Sequence, residues 1–209
     1  MSGPSGRRYI WMHHEEPAVE YLVTLNPRDE PATTLLALNS YCRPFLMPHS
    51  RLGIWAPEIG YIRLLCFDPD QLRAFPLSDV AGWFKKSEER VYSATAPLAE
   101  LEVSSRLAAG KHRVDVPAEF AGLDELLVAS PYPAPSKDDP AFAILIVRPR
   151  AAEVEVLPQR WFTNRKYQPG RQWITRVTRD PESQRLIGDG FRIGAFELAE
   201  DGCELARWL

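Results

Sequence analysis

The residues best suited to chemistry lie in one run, Gln159-Arg160-Trp161-Phe162-Thr163-Asn164-Arg165-Lys166-Tyr167-Gln168-Pro169-Gly170-Arg171-Gln172-Trp173, where cations alternate with aromatic rings. Such interleaving suits single-stranded nucleic acid, because cations meet phosphates and rings stack on bases. It suits equally a small anionic ligand or an acidic protein partner, with Trp and Arg as anchors. A third reading sends Trp161, Phe162 and Trp173 into the core. The arginines then lie over aromatic faces or pair with acids elsewhere. The candidate binding residues are Arg160, Trp161, Arg165, Lys166, Tyr167, Arg171, Trp173 and Arg176. Residues 163–171 are expected to join two strands as a loop, with Asn164, Pro169 and Gly170 forming turns. Loops held by anchors at both ends commonly carry binding groups. Full engagement of Arg165, Lys166 and Arg171 in intramolecular ion pairs would remove the basis for that role.

Charge points to the same place. The chain has 209 residues and a net charge of −3, which is not that of a general polyanion binder. Between Pro158 and Asp180 stand six basic residues (Arg160, Arg165, Lys166, Arg171, Arg176 and Arg179) and one acid, a window of +5 that leaves −8 on the rest.

Other clusters are weaker. His13-His14-Glu15-Glu16 has metal-ligating residue types, but adjacent strand residues point to opposite faces. A plain hairpin tip is therefore expected there. Asp68-Pro69-Asp70 and Asp138-Asp139-Pro140 read as turn chemistry. His49, His112 and Cys42 are the residues from which a hydrolase or transferase site could be assembled in space, each without a sequence-local partner. The Arg43 guanidinium would lower the Cys42 pKa. Gly188-x-Gly190-x-x-x-Gly194 misses the dinucleotide-binding spacing by one residue and is expected to be a hairpin turn or bulge. No nucleophile elbow, phosphate-binding loop, Cys-x-x-Cys pair or His-Glu-x-x-His occurs. No metal or cofactor is assigned.

The elements that must position these residues follow from periodicity. Arg7–His14 and Val19–Asn26 alternate and predict a β-hairpin. Ile59–Phe67, Ala141–Arg148 and Ala152–Leu157 predict further strands, as do Leu98–Ser104 and His112–Val116 around the Ala108–Lys111 turn. Helices are expected at Asp79–Lys86 and Pro117–Ala129, where apolar residues recur three and four apart. Pro31–Cys42 is ambiguous between helix and strand. The C-terminal residues predict a meander: Gln172–Arg179, Arg185–Ile187, a turn at Gly188–Gly190, Phe191–Leu198 and Cys203–Trp208.

The expected class is α+β, a mostly antiparallel twisted sheet with two or three short helices and a C-terminal β-meander. One domain is expected over 1–209, with a possible boundary in the proline-rich stretch 131–140. Nineteen prolines argue for short elements and stiff loops. Three widely spaced cysteines, no secretory apolar stretch and no long apolar run point to a cytoplasmic protein that does not span a membrane. The functional expectation is a non-enzymatic binding or accessory module for a protein or small anionic ligand. Single-stranded nucleic acid is the alternative, an unclassified hydrolase or transferase the second, and a homodimer is left open.

Overall fold

A computed structural model describes residues 8–14, 19–24, 34–39, 42–58, 60–76, 90–104, 107–131, 136–166 and 172–209. The chain divides into two compact units: Met1–Pro57, Arg63–Leu101 and Pro117–Gly122 form the first, and Glu58–Ile62, Glu102–Val116 and Leu123–Leu209 the second. Eight strands come first: β1 (Tyr9–His14), β2 (Val19–Thr24), β3 (Thr34–Asn39), β4 (Arg43–Leu46), β5 (Leu52–Glu58), β6 (Tyr61–Phe67), β7 (Val91–Tyr92) and β8 (Ala99–Ser104). They form two four-stranded sheets, ordered β1-β2-β3-β7 and β4-β5-β6-β8. The expected hairpin is present as β1 against β2, with Tyr9 opposite Thr24 and His14 opposite Val19. Tyr9, Leu22, Leu36, Leu38, Leu52, Ile54 and Phe67 join one buried cluster.

The remaining strands are β9 (Gly110–Arg113), β10 (Leu126–Pro131), β11 (Phe142–Arg148), β12 (Glu153–Pro158), β13 (Trp173–Arg179), β14 (Leu186–Phe191), β15 (Gly194–Leu198) and β16 (Leu205–Trp208). They build the sheets β10-β11-β12-β9 and β13-β14-β15-β16 of the second unit, antiparallel throughout. Strand β11 is buried from Phe142 to Val147, as its unbroken apolar run requires of a central strand. Phe142, Ile144, Ile146, Phe162, Ile174, Leu186, Phe196 and Leu198 share the second core.

The α+β expectation is corrected: the protein is mostly β, with no helix of seven or more residues among those described. The described helical turns are three-residue 3-10 segments at Pro48–Ser50, Pro69–Gln71 and Pro149–Ala151. Each starts on a proline, whose fixed φ suits a first turn and whose missing N–H is not needed there. The expected helix Pro117–Ala129 divides instead. Turns occupy 118–122, with Phe120 N–H donating to the Pro117 carbonyl, and β10 begins at Leu126. Pairing of Leu126–Pro131 with β11 outweighs the local helical spacing. In the ambiguous stretch, residues 34–39 are strand β3. Its first five residues are all buried, and a central strand of this kind shows no alternation to tell it from a helix. The expected helix Asp79–Lys86 lies outside the described residues.

Two pairings also differ from expectation. The strands expected on either side of an Ala108–Lys111 turn belong to different sheets, β9 pairing with β12, and Gly110 and Lys111 lie inside β9, which ends at Arg113. The turn expected at Gly188–Gly190 lies further on, at Arg192–Ile193, so both glycines fall inside β14. Gly188 is opposite Phe196, and a Cβ on it would lie 2.5 Å from the phenyl ring and 2.8 Å from the Arg176 carbonyl oxygen. Gly194 closes the hairpin with φ +92°, a torsion that favours glycine.

Candidate interaction surface

The basic-aromatic segment leaves β12 through Gln159, a fully buried side chain. Its amide nitrogen donates to the Leu157 carbonyl at 2.8 Å and the Gly202 carbonyl at 2.9 Å, and its oxygen accepts from Trp161 Nε1 at 2.9 Å. A buried amide with its capacity used in this way is a latch. It ties the segment to the β15–β16 turn and fixes the indole. Phe162 is buried and stacks on Phe142, with ring centroids 5.7 Å apart. Trp161 is half-buried, 5.1 Å from Phe196 and edge-on to Trp208 at 5.6 Å. Trp208 is 55% exposed, so the aromatic stack runs from the core to solvent.

Residues 163–166 are stitched to the chain before β11. Asn164 N–H donates to the Asp139 carbonyl, Arg165 N–H to the Lys137 carbonyl, and Asn164 Nδ2 to the Ser136 carbonyl. The candidate cations turn outward and meet acids. Arg160 approaches Asp201 and Glu204 at 3.8 Å each, Arg165 pairs with Asp138 at 2.9 Å, and Arg176 pairs with Asp189 at 3.2 Å. Lys166 Nζ donates to the Trp161 carbonyl. Trp173 opens β13. Tyr167 and Arg171 lie outside the described residues. Trp161, Arg160 and Lys166 are thus brought together, while Arg165 and Arg176 are held by separate carboxylates. Exposed pairs of this kind contribute little to stability.

Arg179 has a different role. Its Nε and Nη2 donate to the two oxygens of Glu125, and its Nη1 to the Gln184 carbonyl. Glu125 also accepts from Arg148, which reaches Glu153 and Glu155. Arg179, Glu155, Gln184 and Asp201 line a cleft of about 210 Å³. The hydrogen bond from Arg179, helped by the Arg148 charge, holds the Glu125 carboxyl below its usual range against the opposing effect of burial. A lowered carboxylate pKa contributes stability that is complete above the unfolded value of about 4.3 and is lost as pH falls through the folded one. Glu125→Gln should therefore melt below wild type at neutral pH. The gap should close in acid, and a gap independent of pH would count against this pairing.

The residues considered for catalysis sit in structural settings. The Cys42 thiol is buried, donates to the Arg90 carbonyl and lies 3.6 Å from Asn39 Oδ1. His49 is exposed on the β4–β5 loop with φ 60°. His112 Nε2 lies 2.8 Å from the Ala108 carbonyl. Burial raises the thiol pKa of Cys66 and Cys203. Among the described residues no group of three or more His, Cys, Asp or Glu could hold a metal ion. No described helix is long and apolar enough to cross a membrane.

Sequence reasoning missed Trp208 and Gln159. Trp208 lies far along the chain from the segment it covers, and a glutamine gives no local signal of burial. Comparison of the chain with family models, curated proteins and solved structures yields no match.

Proposed function

We propose that this chain is a non-enzymatic cytoplasmic binding module that recognises a protein partner through the surface around Trp161 and Trp208. The observation that carries the reading is the aromatic stack, in which a latched, half-buried Trp161 supports a Trp208 that is 55% exposed. A rigid, partly exposed Trp beside arginine is the residue chemistry of interface anchors. Support for a protein over a small anion or nucleic acid comes from the cations. Arg160, Arg165 and Arg176 each stand near a carboxylate, so phosphate would have to compete for them. The three cysteines form no disulfide, as suits a reducing compartment.

The test is quantitative affinity capture from a cell extract with wild type, Trp208→Ala and the control Leu46→Ala, an exposed residue of the other compact unit. Partners that depend on this surface should fall about tenfold or more with Trp208→Ala and stay unchanged with the control. Titration of a single-stranded oligonucleotide at low salt should show no binding. Tight, steeply salt-dependent binding would replace the protein reading with the nucleic-acid one.

A further inference from the structure

We draw no further inference here: the strongest candidate, the exposed apolar patch of Phe191, Trp208 and Leu209 at one end of the C-terminal meander, carries nothing beyond the surface already described, because nothing in the structure shows what covers it and the register of its edge strand β16 shifts where an added strand would have to pair.

Discussion

Gly188→Val should lower stability by about 3 kcal/mol, the upper part of the range for overpacking a filled core. Two different obstacles meet at this position. The Phe196 ring would lie 2.5 Å from a new Cβ, and Phe196 is fully buried, with Trp161 packed against it. The Arg176 carbonyl oxygen would lie 2.8 Å away, and it belongs to the neighbouring strand, where Val177 pairs with Gly188. A ring can rotate, but moving the carbonyl requires β13 and β14 to separate. In a thermal melt the loss corresponds to roughly 6–12 °C for a chain of this size. Gly188→Ala carries the same Cβ and should retain most of the effect. A Gly188→Ala variant that melts with wild type would show that neither the Phe196 ring nor the Arg176 carbonyl obstructs a Cβ at this position.

Gln159→Leu is expected to have a comparable effect by another route. The substitution nearly conserves shape and removes all three side-chain hydrogen bonds. It leaves the Leu157 and Gly202 carbonyls and the Trp161 indole N–H without their partner. A buried polar group left unsatisfied costs about 1–3 kcal/mol, and the three together should cost about 3 kcal/mol or more. Function adds a second readout. Without the latch Trp161 loses its fixed orientation, and Trp208 loses the ring it leans on. Near-UV circular dichroism should weaken in the tryptophan region before the far-UV signal changes. Unchanged near-UV dichroism, with stability near wild type, would rule out the latch.

Legibility in the sequence followed the range of the interactions concerned. The β1–β2 hairpin and strands β11 and β12 were readable because alternation or an unbroken apolar run is a local property. Pro117–Ala129 misled because Phe120, Leu123, Leu126 and Leu127 have helical spacing, yet Phe120 is counted in one compact unit and the leucines in the other. Nothing local reports that division. The Gly188–Gly190 turn misled for a related reason. Glycine marks both turns and close approaches, and only the cross-strand Phe196 distinguishes them. The basic-aromatic segment was visible as composition. The acids that hold it, Asp138, Asp189, Asp201 and Glu204, are supplied by other loops and strands. Glu197 and the two arginines paired with it, Arg185 and Arg207, gave no signal because they come together only through strand pairing.

The division of the chain also limits how it can be cut. Residues of the second unit begin at Glu58, return at Glu102, and run unbroken only from Leu123. A fragment started at Leu123 would contain β10–β16 but not β9. Strand β12 would then expose the backbone edge that Gly110–Arg113 occupies, with Glu153, Val154, Glu155 and Val156 unpaired on that side. Bare strand edges recruit other chains. The shortest contiguous piece that keeps both C-terminal sheets whole therefore starts upstream of Gly110 and carries Pro117–Gly122, a stretch belonging to the other unit, as a passenger.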